Sequence, residues 1–179
     1  MKSKPNLRQR TTIGKIDKLD FPELRLSDIS CKIDTGADNS AIHCQQVRLV
    51  EKNNVKVLRF KLLDPAHPLY DAQDFEITEF KETIIKNTSG IRESRYVIFS
   101  KVFLFNKLLD ITLTLADREQ MTYPVLIGRK FLSKNKLVVD VTRSNISFKK
   151  KQQADIICAS PFSLLQSIPT QPNDPRQTP

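Results

Sequence analysis

The stretch Ile29-Ser30-Cys31-Lys32-Ile33-Asp34-Thr35-Gly36-Ala37-Asp38-Asn39-Ser40-Ala41-Ile42-His43-Cys44 decides how this chain reads. Apolar residues alternate on both sides of a polar stretch, which predicts a strand, a tight turn and a second strand. Asp bonds its own backbone in turns and Gly accepts positive φ, so Asp34-Thr35-Gly36 alone is ordinary turn chemistry. It nevertheless sets one carboxylate, Asp34, at a turn with Thr35 and Gly36 behind it. Downstream, the apolar run Val125-Leu126-Ile127 passes through Gly128 into Arg129-Lys130-Phe131-Leu132, a strand that leads into a short helix.

Outward from these two turns the pattern is short strands. Val57–Leu62 alternates, with Leu58, Phe60 and Leu62 on one face. Asp64-Pro65-Ala66-His67-Pro68 ends that run. A strand over Tyr96–Phe105 turns at Asn106-Lys107 into Leu109–Leu115, which alternates cleanly. Leu137–Val141 and Ile146–Phe148 read as a hairpin around Thr142-Arg143-Ser144-Asn145. No long helical period is present. The expected class is therefore all-β, a small closed barrel of antiparallel strands with one short helix.

With 179 residues the chain is long enough for one domain with a real core. The expected division is a flexible basic tail over residues 1–12, a folded domain over 13–150 and a Pro- and Gln-rich tail over 151–179. No run approaches the roughly 18 apolar residues of a membrane span, and the basic N-terminus lacks the apolar core of a secretory signal. The three cysteines, Cys31, Cys44 and Cys158, have no paired spacing; they read as free, buried thiols in strands, and a cytoplasmic location is expected. The net charge of +9 is scattered apart from Lys149-Lys150-Lys151 and the N-terminus. A solvated basic surface that draws in an acidic partner fits this better than a nucleic-acid interface, and no membrane partner is expected.

In order and spacing, Asp34-Thr35-Gly36-Ala37-Asp38, the Gly90-tipped segment and Ile127-Gly128-Arg129 resemble the retropepsin-like aspartic peptidases. Further strings resemble the bacterial family labelled ATP-dependent zinc proteases: Ile13-Gly14, Lys32–Ala37 with Ser40–His43, Ser89-Gly90 with Glu93 and Arg95, Leu126–Arg129, and Val138-Val139-Asp140. The resemblance implies an acid-protease fold and an aspartic endopeptidase acting as a homodimer. Each subunit would supply one catalytic Asp34, assisted by Thr35 and Gly36, because this chemistry uses two carboxylates that share a proton. It further implies a flap over Lys86–Val97, in which Ser89 and Gly90, with Ala37, contact an extended peptide as an added strand. Asp38, Gly128 and Arg129 would be supporting residues, with Asp38 and Arg129 forming a partly buried ion pair.

The basic residues Lys86, Arg92 and Arg95 near the flap favour an acidic peptide. Members of this family often accompany a ligase that adds glutamate to a protein tail, which makes such extensions a candidate substrate. The label's zinc and ATP find no support in the residues. His43 and His67 are the chain's two histidines and lack metal-ligand spacing, and no Gly-rich phosphate loop exists. Neither cofactor nor metal is therefore expected. Two other readings stay open: a zinc-dependent metallohydrolase, as the label says, and a non-catalytic basic binding module on the same fold.

Overall fold

The computed structural model describes residues 10–86 and 92–159, and they form a mostly-β fold with two helices. The strands are β1 (Thr11–Gly14), β2 (Ile16–Phe21), β3 (Leu26–Asp34), β4 (Ser40–Lys52), β5 (Val55–Leu62) and β6 (Phe75–Ile77). They continue with β7 (Phe80–Lys86), β8 (Arg92–Leu104), β9 (Lys107–Ala116), β10 (Val125–Gly128) and β11 (Leu137–Asp140). The helices are α1 (Arg129–Lys134) and α2 (Ile146–Ala159), and a 3-10 turn covers Pro22–Leu24.

Nine strands form one sheet in the order β10-β3-β2-β8-β9-β4-β5-β6, with β7 paired to β8. A further pairing of β10 with β4 closes the first six of these strands into a ring. The sheet is mixed. Strand β10 runs parallel to β3, β4 runs parallel to β9, and β1 and β11 make a separate parallel pair. The expectation of antiparallel strands alone is corrected accordingly. Parallel partners here are far apart in sequence, and a local alternation pattern carries no information about them.

Alternation did place the core faces. Leu58, Phe60 and Leu62 of β5 are buried together, as are Ile111, Leu113 and Leu115 of β9. The β8–β9 turn falls on Phe105 and Asn106, one residue earlier than expected, and both have left-handed φ of 50° and 59°. Such a pair is the usual two-residue hairpin geometry, which matches strand twist.

The expected hairpin over residues 137–148 does not form. Strand β11 leaves to pair with β1 in the register Leu137↔Thr11 through Asp140↔Gly14. Residues from Ile146 instead begin the 14-residue helix α2, which extends past residue 150, where a tail was expected. Lys149-Lys150-Lys151-Gln152-Gln153-Ala154 are good helix formers, so the local preference is real. The start of the helix is fixed from a distance. Asp17 of β2 is fully buried, and its carboxylate accepts N–H bonds from Ser147 at 2.9 Å and Phe148 at 3.1 Å. That satisfies orphan donors of the first turn and places a negative charge at the positive end of the helix dipole. Lys151 then bridges Asp20 and Asp28 at 2.7 and 2.8 Å, pinning the same helix to the β2–β3 hairpin.

Gly14 lies under the turn that precedes α2. A Cβ there would come within 2.4 Å of the Arg143 carbonyl oxygen, so only glycine admits this approach. Cys31 and Cys44 are buried in strands as expected, whereas Cys158 belongs to α2 and not to a strand.

Candidate functional site

Strand β10 is inserted between the two strands that flank the Asp34 turn. It pairs with β3 in parallel register, Gly128 opposite Asp34, and with β4 in antiparallel register, Leu126 opposite Ala41. The connection from Asp34 to Ser40 must therefore arch over the C-terminal end of β10. Gly128 sits beneath the arch, where a Cβ would lie 2.5 Å from the Asn39 carbonyl carbon and 2.9 Å from the Asp38 oxygen. This crossing is what requires glycine at position 128.

The arch also serves α1. Gly128 is the N-cap and has no side chain to offer. The loop supplies the acceptors instead: Arg129 N–H bonds Ala37 O at 2.8 Å and Lys130 N–H bonds Asp38 O at 3.1 Å. Gly128 N–H donates to Ser40 Oγ at 3.0 Å, and Lys130 Nζ reaches Asn39 Oδ1 at 3.0 Å. Asp38 and Arg129 form the expected ion pair. Both side chains are about half exposed or more, however, at 48% and 61%, so the expectation of partial burial is corrected. The backbone bonds fix the arch, and the surface pair adds little to them.

Within the arch, Asp34 Oδ1 accepts N–H bonds from Gly36 at 2.9 Å and Ala37 at 3.2 Å. Both go to one oxygen, and among the described residues Oδ2 takes none. Gly36 does not adopt a left-handed φ; a Cβ there would instead crowd Asp34 Oδ1 at 3.3 Å. Its role is close approach to the carboxylate. Thr35 and Gly36 are exposed at the crest, and Asp34 and Ala37 are partly buried. The structure thus brings Asp34, Thr35, Gly36, Ala37, Asp38, Gly128 and Arg129 into one unit. Ser89 and Gly90, expected at the flap tip, lie outside the described residues. The strands leading to that tip, β7 and β8, are paired throughout, from Phe80↔Ile98 to Lys86↔Arg92.

Two residues near this unit, His43 and Arg118, were not among the expected site residues. His43 is buried at 1% exposure, and its Nδ1 accepts the Arg118 backbone N–H at 2.8 Å. Asp64 Oδ2 stands 3.6 Å from Nε2 and Asp117 Oδ1 stands 3.7 Å from Nδ1. His43 therefore pins the loops after β5 and β9. Among the described residues no group of three His, Cys, Asp or Glu side chains is placed to hold a metal ion. The second residue is Arg118, whose Nε and Nη2 donate to Tyr123 O at 3.3 and 3.2 Å. Burial and the charge of Arg95 hold its pKa below the ordinary arginine value, against the opposing pull of Asp34. No local motif marks Arg118, because its position depends on the buried His43.

A family model described as RimB-like, "Retropepsin-like aspartic endopeptidase RimB", matches residues 12–150. The chain belongs to the RimB-like family. The ATP-dependent zinc protease label is not part of that match. Curated relatives carry another name. A protein of Desulfotalea psychrophila named "Probable alpha-L-glutamate ligase" is 32% identical over 132 residues, which is 72% of this chain and 27% of that protein. One of Shewanella halifaxensis with the same name is 32% identical over 148 residues, 80% of this chain and 31% of that protein. This RimB-like chain thus spans less than a third of the curated relatives it matches. A solved structure from Legionella pneumophila, of a protein of unknown function, shares the fold with a TM-score of 0.62 at 24% identity. It covers 78% of this chain and 99% of its own.

The relatives' names overturn the activity expected from the sequence. A glutamate ligase forms an amide bond, whereas the expectation was a hydrolase and protease that breaks one. The aspartic endopeptidase assignment is withdrawn on that ground, although the family description itself retains the word. Among the described residues no helix is long and apolar enough to cross a membrane.

Proposed function

We propose that this chain serves α-L-glutamate ligation by holding the acidic polypeptide on which that chemistry works. The observation that carries the reading is the set of relatives named for the ligase, which this chain matches over roughly a quarter to a third of their length. A part of that size with no Gly-rich phosphate loop is assigned the holding of the polypeptide and not the activation of a carboxylate. A net charge of +9 attracts a glutamate-bearing chain at long range.

In this reading Asp34, Thr35, Gly36 and Ala37 form the contact loop. Asp34 Oδ2 accepts backbone N–H groups of the bound polypeptide, and the paired strands β7 and β8 lie along it. Asp38, Gly128 and Arg129 keep the loop in place.

The test adds this chain to a purified α-L-glutamate ligase acting on an acceptor peptide and follows product length by mass spectrometry. The expected result is a changed rate or length distribution, together with direct binding of the glutamate-bearing product. Absence of both effects refutes the reading, and so does Asp34-dependent release of shortened peptide by this chain alone.

A further inference from the structure

Buried His43 stands where several segments meet. It lies on β4 opposite Ala116 of β9. Its N–H donates to Pro124 O at 2.8 Å, just before β10, and its carbonyl accepts the Leu63 N–H at 3.1 Å, just after β5. The backbone of His43 is thus fixed on both sides, and the bonds that can change are those of the ring. Nδ1 accepts the Arg118 N–H at 2.8 Å, so the neutral ring carries its proton on Nε2. That Nε2 is buried and has no hydrogen-bond partner among the described residues, with Asp64 Oδ2 standing off at 3.6 Å. Asp117 Oδ1 stands 3.7 Å from Nδ1. The charged groups around the ring are Asp64 from the loop after β5 and Asp117 and Arg118 from the loop after β9. Arg95 of β8 lines one recess with the latter two.

Two sets of bonds compete at this ring. The neutral imidazole keeps the Arg118 bond but leaves a buried N–H donor unpaired, which costs free energy. The charged imidazole has a donor for each carboxylate, both a few tenths of an ångström beyond bonding distance, but forfeits the Arg118 bond. The loop after β9 is bonded within itself. Arg118 Nε and Nη2 donate to Tyr123 O at 3.3 and 3.2 Å, Met121 N–H donates to Arg118 O at 2.8 Å, and Glu119 N–H donates to Asp117 Oδ1 at 3.0 Å. None of these bonds depends on the state of His43. The loop also rims the recess of about 320 Å³ that it shares with Arg95.

We propose that His43 is a pH-operated latch on this loop. A proton from solvent adds to the Nδ1 lone pair, which the Arg118 N–H can then no longer use. That bond breaks and the Arg118 N–H passes to water. The new Nδ1–H donates to Asp117 Oδ1, and Nε2–H closes on Asp64 Oδ2. The loop, still bonded within itself, is released from β4 at Arg118, and the rim of the recess opens. Loss of the proton restores the lone pair and closes the latch. Histidine is the side chain suited to this, since as a class it changes charge between about pH 5 and 8.

The experiment titrates the isotope-labelled full chain between about pH 8 and 5. NMR follows the imidazole nitrogens, and hydrogen exchange follows the Arg118 amide, corrected for the exchange rate of an unstructured chain. His67 is the chain's other histidine and bonds the Leu69 N–H within its own exposed turn, so a His67→Gln background leaves the His43 signals alone. At the upper end Nε2 alone is expected to carry a proton. On acidification Nδ1 gains one, and protection of the Arg118 amide is lost with the same midpoint. Asp64→Asn and Asp117→Asn are each expected to move that midpoint to lower pH, because each removes a charge that favours the imidazolium. His43→Asn keeps an acceptor oxygen near the Nδ1 position and takes no proton, so its Arg118 amide is expected to stay protected throughout. A His43 that stays neutral over the whole range overturns the latch, as does one that gains a proton while Arg118 keeps its protection. A natively folded His43→Asn chain that loses the protection at the wild-type pH also overturns it. Should His43→Asn not fold, the two wild-type midpoints decide: coincidence supports the latch and separation overturns it.

Discussion

Removing the Asp17 carboxylate tests whether α2 is held by a remote acid. Asp17 is fully buried and accepts N–H bonds from Lys18 at 2.9 Å, Ser147 at 2.9 Å and Phe148 at 3.1 Å. The Ser147 bond is buried, so losing its acceptor costs about 1–3 kcal/mol; the two half-buried bonds cost roughly 0.5–1.5 kcal/mol each. Asp17→Ala should therefore lower stability by about 2–6 kcal/mol, and the melting temperature by roughly 10 °C. Asp17→Asn keeps one acceptor oxygen and should cost less than Ala. The pH dependence separates charge from geometry. Burial, the largest influence, raises the Asp17 pKa above 3.8 in the folded state, against the opposing N–H bonds. The native protein thus takes up this proton before the unfolded chain does. This group's contribution is fully present below the unfolded pKa and is lost as pH rises through the folded one. The stability gap between wild type and Asp17→Asn, measured by urea unfolding, should widen as pH falls through that window. A gap that narrows on acidification would show that the N–H bonds outweigh burial and would refute the argument.

Four further outcomes follow from the structure. Arg129→Ala should cost less than about 1 kcal/mol in thermal unfolding, because its pair with Asp38 is exposed; a larger loss would mean the pair is buried in an assembly. Gly128→Ala should destabilise by about 1–3 kcal/mol or more, since its Cβ meets the Asn39 carbonyl, and unfolding that matches wild type would contradict the arch geometry. Burial pushes the Cys44 thiol up to about 12 and the Cys31 thiol well above its usual value, so a Cys158→Ser variant should show no rapid reaction with a disulfide reagent until denatured. We expect a homodimer through the exposed Thr35-Gly36 crest, seen as concentration-dependent sedimentation that Thr35→Arg abolishes; a monomer at all concentrations would exclude it.

What was legible in the sequence was what local pattern encodes. The strand faces of β5 and β9 follow from strict alternation, and the Asp34 turn and the Gly128 junction follow from their turn residues. What was not legible depends on partners far along the chain. Ile146-Ser147-Phe148 alternates like a strand, yet Asp17 at a distance of many residues turns it into the start of α2. Leu137–Asp140 is a strand either way, and only the register with β1 decides that it leaves the expected hairpin. Arg118 stands in a polar loop without a motif, and its backbone bond to buried His43 is what fixes its place. The exposure of the Asp38–Arg129 pair was likewise invisible, since proximity follows from the arch but burial depends on what covers it.

The same dependence explains why a correct reading of the Asp34 turn led to a wrong expectation of activity. The arch is set by a topological requirement: β10 lies between β3 and β4, so the chain must cross over Gly128. In this chain the insertion leaves Asp34 at the foot of the arch, its Oδ1 bound by the Gly36 and Ala37 N–H groups. The turn is thus evidence for the fold first.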